Sequence, residues 1–193
     1  MATVIPDSGM GFQKVYSAII DDSNNLVDVD RNTNSLKMIT TPHYEVHKGN
    51  MYDIGWIFEE VADNTFAYLS LEVPIGKEFH TIVATGCEGD AHMHLYEGGT
   101  LTGGNQLTIH NMHRGSSNSS AATALASPGV SATATTLVYQ ILPGGERVQA
   151  VGGVIREGTE WILKSGKYIV GVVNKAGSAK TIGIQMQWYE LNV

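Results

Sequence analysis

The residues best suited to chemistry in this chain are histidines at short spacing. His92 and His94 stand two apart in AHMHLYE at 91–97. On a strand both imidazoles leave one face while Met93 and Leu95 leave the other, and two imidazoles so placed can share a metal ion. Glu97 follows His94 by three residues, and odd spacing in a regular strand throws the carboxylate to the opposite face. A second pair, His43 and His47 with Glu45 between them, lies in PHYEVHKG at 42–49. Histidines four apart bind zinc when they share a helical face. Here Pro42 before the pair and Lys48-Gly49-Asn50 after it leave too few residues for a stable helix, and the glutamate is not where a metalloprotease needs it. On a strand these side chains face outward, so solvated or hydrogen-bonded imidazoles are expected rather than ligands.

Gly86, His92, His94, Glu97 and Gly104 together resemble the first metal-binding motif of the cupin family, itself a jelly roll. The resemblance implies a third ligand, for which Glu97 stands too near His94. It implies a fourth after a Pro-x-Gly turn, yet Pro143-Gly144-Gly145 is followed by Glu146, Arg147, Val148 and Gln149 with no histidine nearby. Asp28, Asp30, Asn32 and Asn34 mimic the first half of a calcium loop, but Thr33 replaces the Gly of its sharp turn and Ile39 its bidentate Glu. No Gly-x-Ser-x-Gly elbow and no phosphate-binding Gly-rich loop occurs. The reading is therefore of a non-enzyme, with no catalytic residue, cofactor or metal ligand assigned. No tightly held transition metal is expected to be needed for folding.

The elements that would position such residues are strands. The 22 glycines, with abundant Thr, Ser, Val and Ile, favour strands joined by tight turns. Alternation is clearest in Tyr52, Ile54, Trp56 and Phe58, with Trp56 and Trp188 in apolar phase and expected in the core. Ala67, Leu69, Leu71 and Val73 form another apolar face, Pro74–Gly76 punctuates it, and Ile82 with Ala84 continues beyond the turn. Leu137, Tyr139 and Ile141 make a further strand, and Gly152-Gly153 suggests a bulge or a close backbone approach. Tyr168, Val170 and Val172 alternate before NKAGSAK, after which Ile182, Ile184, Met186 and Trp188 alternate again, a pattern that predicts a closing hairpin. Roughly ten strands with no helix of standard length predict an all-β fold, a β-sandwich of jelly-roll type. Residues 1–35, with polar clusters around ValIle at 4–5 and VYSAII at 15–20, read as an N-terminal arm, and residues 36–193 as the sandwich body. The Ser/Ala/Thr-rich segment 115–136 reads as a long surface loop.

Composition bounds the partners. Hydrophobic residues make up 42% and charged residues 16%, the balance of a chain with a sizeable core. A net charge of −7 with twelve scattered Lys and Arg argues against nucleic acid as a partner. Cys87 is the only cysteine, so no intrachain disulfide forms and a small buried apolar role is expected for it. No stretch approaches the ~20 apolar residues of a membrane span, and MATVIPDSGMGFQK lacks the apolar run of a signal peptide. A soluble protein made in a cytoplasm is expected.

Several short motifs then form an ordered set: PHYEVHKG at 42–49, LYEGGT at 95–100, NMHR at 111–114, EWILK at 160–164, KYIVGVVNKAGSA at 167–179 and QWYE at 187–190. The set, spanning roughly residues 36–190, resembles the capsid decoration or head cement proteins of tailed bacteriophages. The chain departs from that pattern in having Tyr44 where a second His is frequent and His113 where Asn is frequent. The resemblance implies a β-sandwich that self-associates, as a homotrimer, and binds the major capsid protein lattice on the virion surface, stabilising the head. The rival readings are a receptor- or glycan-binding head or tail-fibre module, whose mark would be exposed Trp or Tyr on a sheet face, and a cupin-like metalloprotein.

Overall fold

The structure, a computed structural model, describes residues 29–30, 35–36, 41–131, 134–142 and 160–193. Two compact units are present, Met1–Thr40 and Thr41–Val193. In the first, β1 (Val29–Asp30) pairs antiparallel with β2 (Ser35–Leu36). VYSAII and the Gly152-Gly153 pair lie outside the described residues, as do Asp28, Asn32 and Asn34 of the calcium-like run.

In the second unit helix α1 (Thr41–Lys48) leads into β3 (Met51–Val61), β4 (Phe66–Val73), β5 (Lys77–Cys87) and β6 (Ala91–Glu97). Short strands β7 (Leu101–Thr102), β8 (Asn105–Gln106), β9 (His110–Asn111), β10 (Thr123–Ala126) and β11 (Gly129–Val130) follow. The order ends with β12 (Thr135–Leu142), β13 (Trp161–Leu163), β14 (Gly166–Asn174) and β15 (Lys180–Asn192).

Four nested antiparallel pairs define the topology: β3 with β15, β4 with β14, β5 with β13, and β6 with β12. The chain is a two-stranded ribbon rolled up on itself, closed where β15 also pairs with β5 and β14 with β6. The result is a β-sandwich with jelly-roll connectivity, a sheet ordered β13-β5-β15-β3-β9 packed on one ordered β12-β6-β14-β4-β10-β8. Between them lie Ile54, Phe58, Phe79, Ile182, Ile184, Met186 and Trp188 from the first sheet, and Leu69, Leu71, Leu95, Val170 and Val172 from the second. Trp188 is fully buried and stacks on Phe79 with ring centroids 5.8 Å apart.

Several expectations shift. Tyr168–Val172 and Ile182–Trp188 are buried strands as read, but β14 and β15 belong to different sheets, so NKAGSAK is a crossover and not a hairpin turn. Asn174 makes the crossing possible: its buried amide donates to Val61 O at 2.8 Å and Ser178 O at 2.7 Å, and its Oδ1 accepts from the Ala176 amide at 2.9 Å. These bonds tie the end of β3 to the β14–β15 connection.

Trp56 is 43% exposed and not core. Among the described residues β9 reaches only Tyr52 and Asp53, so from Ile54 onward β3 is a sheet margin, and a hollow bounded by Trp56, Phe58, Phe66 and Ser127 opens there. In β12 the register shift between Thr136 and Val138 sets Tyr139 opposite His94 and Ile141 opposite His92, on the outer face, whereas Val138 faces Leu95. In β5 Phe79 is fully buried and Val83 and Cys87 pack against the core, with Ile82 and Ala84 on the outer face.

The segment 115–136 is partly built into the fold. β10 pairs with β4 and β11 with β7. Ahead of them the Asn118 amide donates to Gly49 O at 3.2 Å, and Glu190 accepts from the Ser120 hydroxyl and, at 3.1 Å, from the Ala121 amide. Helix α1, unexpected from the sequence, is a single short segment whose C-terminal carbonyls are met by side chains: Asn111 donates to Gly49 O at 2.8 Å and Asn118 to Lys48 O at 3.3 Å. Tertiary capping supplies what local propensity lacks.

Candidate functional site

The outer face of the six-stranded sheet carries the largest grouping of chemically versatile side chains. Strand pairing aligns Tyr139, His94, Gly171 and Tyr68 in one row and Ile141, His92, Val173 and Phe66 in the next. Tyr96, Ile169 and Ser70 form a third. None of these positions bears a carboxylate, Lys or Arg; the charged pair Lys167 and Glu72 begins only beyond them.

Gly171 is the foundation. A Cβ there would stand 2.7 Å from Tyr68 Cε1 and 3.2 Å from Tyr96 Cε2, so the two phenol rings lie over the bare backbone of β14. Phe66 stacks on Tyr68 with centroids 5.1 Å apart, His94 on Tyr96 at 5.6 Å, and Tyr139 meets the edge of His94 at 4.8 Å. The rings roof over Ile169 and Val173, which are buried although they point away from the core. The upper surface remains open, with Tyr139 54% and Ile141 63% exposed.

Polar atoms thread this layer. Tyr139 OH and His92 Nδ1 are 2.8 Å apart. Burial, and then the neighbouring charge of His92, holds the His94 imidazole below its ordinary range. Burial pushes the phenols of Tyr68 and Tyr96 up, for Tyr68 with help from Tyr96.

His92 and His94 thus share one face, as their spacing predicts, with Met93 and Leu95 buried beneath. Glu97 stands at the end of β6 in the row of Tyr168, on the opposite face, and pairs with Lys164 at 3.1 Å. Gly86 belongs to the other sheet, and Gly104 turns the chain between β7 and β8 at φ 94°. The cupin-like set is therefore not assembled into one site. Among the described residues no group of three or more His, Cys, Asp or Glu side chains is placed to hold a metal ion. Cys87 is half-buried and free, packed against the core.

Two further features escaped sequence reading. On the outer face of the five-stranded sheet, Gly55, Gly183, Gly86 and Ala84 floor a shallow apolar hollow of about 750 Å³ beside Ile57. At one end of the sandwich, Asn50, Lys77, Asn118, Glu190 and Asn192 line a polar hollow of about 430 Å³. The signal for the aromatic layer was present as Phe66/Tyr68 and His92/His94/Tyr96 at strand spacing, but only the pairing across Gly171 makes those residues neighbours.

A scan against models of known protein families, a search of curated proteins and a search of solved structures each return no match.

Proposed function

We propose that this chain is a non-enzymatic structural protein of a phage virion, a jelly-roll module that seats on the major capsid protein lattice, self-associates as a trimer and stabilises the head. The observation that carries the reading is the aromatic layer of Phe66, Tyr68, His94, Tyr96 and Tyr139 with Ile141 beside it, which holds no carboxylate, Lys or Arg. Contiguous exposed apolar surface of this kind marks a docking face, and Tyr is a preferred residue at the centre of protein interfaces. The ordered motifs from PHYEVHKG to QWYE supply the identity of the partner by resemblance. Cosedimentation of the purified protein with expanded capsids that lack it tests the reading. The chain should pellet with capsids, and Y139K/I141K, which places two ammonium groups on the exposed part of the layer without entering the core, should reduce binding at least tenfold.

A second reading, a carbohydrate-binding head or tail-fibre module, draws on the same exposed Tyr139 and on Trp56 at the sheet margin. Aromatic rings stack on the C–H faces of sugars, and the imidazoles and phenol hydroxyls offer hydrogen bonds to ring hydroxyls. Saturable quenching of tyrosine fluorescence by a neutral oligosaccharide such as maltoheptaose, with no affinity for capsids, would favour it over decoration.

A further inference from the structure

We infer that His43 and His47 on α1 form a surface chelate for a divalent transition-metal ion, copper(II) foremost. Histidines four apart chelate metal only where a helix brings them onto one face. That condition is met: α1 spans Thr41–Lys48, both imidazoles are exposed, and their Nε2 atoms converge to 3.0 Å. The rings meet edge to face with centroids 4.7 Å apart and their Nε2 atoms share a hydrogen bond, whose proton moves to the other ring nitrogen of the donor imidazole when a metal ion takes its place.

The separation is also within reach of a metal bite. With metal–nitrogen bonds of about 2.0–2.1 Å, nitrogens 3.0 Å apart subtend about 94° at the ion. That is close to the right angle between neighbouring positions of a tetragonal copper(II) or nickel(II) centre. A tetrahedral zinc(II) ion would need the nitrogens spread to about 3.3–3.4 Å. Copper(II) also stands highest in the general affinity order for nitrogen ligands.

The helix is held in place for this role. Glu45, buried on the opposite side, accepts from Asn50 Nδ2 at 3.0 Å and pairs with Lys48 at 3.7 Å, and the α1 terminus is tied to Asn111 and Asn118. The helix that brings both imidazoles onto one face therefore pre-exists the metal. Two protein ligands leave the other positions to water, which makes the site reversible and separate from folding.

The test is titration of the metal-free full chain with copper(II), followed by electron paramagnetic resonance. One equivalent is expected with a two-nitrogen equatorial signature, and H43Q and H47Q should each weaken binding at least tenfold. H92Q/H94Q should leave it unchanged. Thermal melts in chelator should be the same for H43Q and H47Q as for the parent chain, because both side chains are exposed. Copper binding that survives H43Q and H47Q, or follows H92Q/H94Q, would overturn the assignment, as would the absence of binding at micromolar copper.

Discussion

Gly171 is the residue on which the outer face depends. Because a Cβ at this position would stand 2.7 and 2.9 Å from Tyr68 ring carbons, G171A must push the ring off β14. The half-exposed ring can swing outward, so the cost is expected near the low end of overpacking, about 1–2 kcal/mol in chemical denaturation, with a change in tyrosine fluorescence. Titration is a second residue-scale consequence. Tyr168 and Tyr189 are pushed up to about 12, mainly by burial, with Glu97 adding to the first and Glu160 to the second. A phenol whose folded value lies above its unfolded value of 10.0 favours the folded state fully below pH 10.0 and loses that contribution as pH rises through about 12. Stability should therefore fall between those limits, with part of the tyrosinate absorbance appearing only as the protein unfolds. His94 has the opposite sign: its lowered imidazole contributes above the ordinary histidine range and loses that contribution as pH falls through the lowered value.

Among the elements, the crossovers between sheets are the critical pieces. N174A removes, from a fully buried position, the donors to Val61 O and Ser178 O that hold the two crossovers together. Such a change is expected to cost about 2–4 kcal/mol, measurable as a lowered urea midpoint at unchanged slope. The strands themselves were legible in the sequence, since Leu69, Leu71, Val170, Val172, Ile182 and Ile184 alternate and are all buried. Their partners were less so. Period-two alternation fixes which residues share a face but not which strand lies alongside, so β14 and β15, adjacent in sequence, read as a hairpin although they lie in different sheets. The same gap misplaced Trp56, whose exposure was set by a sheet margin, while the Leu137–Tyr139–Ile141 run was legible as a strand but its outward face was set by a one-residue register shift. Helix α1 was hidden for a different reason: its stabilising bonds come from Asn111 and Asn118, more than sixty residues away.

At the scale of the whole molecule, the sandwich packs one core between two sheets and turns apolar surface outward on both of them, as Ile57 on one and Tyr139 with Ile141 on the other. A chain of net charge −7 presenting such faces suits association with protein surfaces better than with polyanions. The unit Thr41–Val193 contains the described core, so deletion of residues 1–40 should leave a β-type circular dichroism spectrum and a cooperative melt. A truncate that fails to fold would place the first unit within the cooperative structure. The proposed trimer should appear in sedimentation equilibrium as a single species of three times 20.8 kDa at micromolar concentration. The most direct measurement of the proposed role is an image reconstruction of expanded, undecorated capsids incubated with the purified protein. Added density at regular lattice positions is expected, with the Tyr139 and Ile141 face turned toward the shell. A bare lattice at saturating protein would contradict decoration outright.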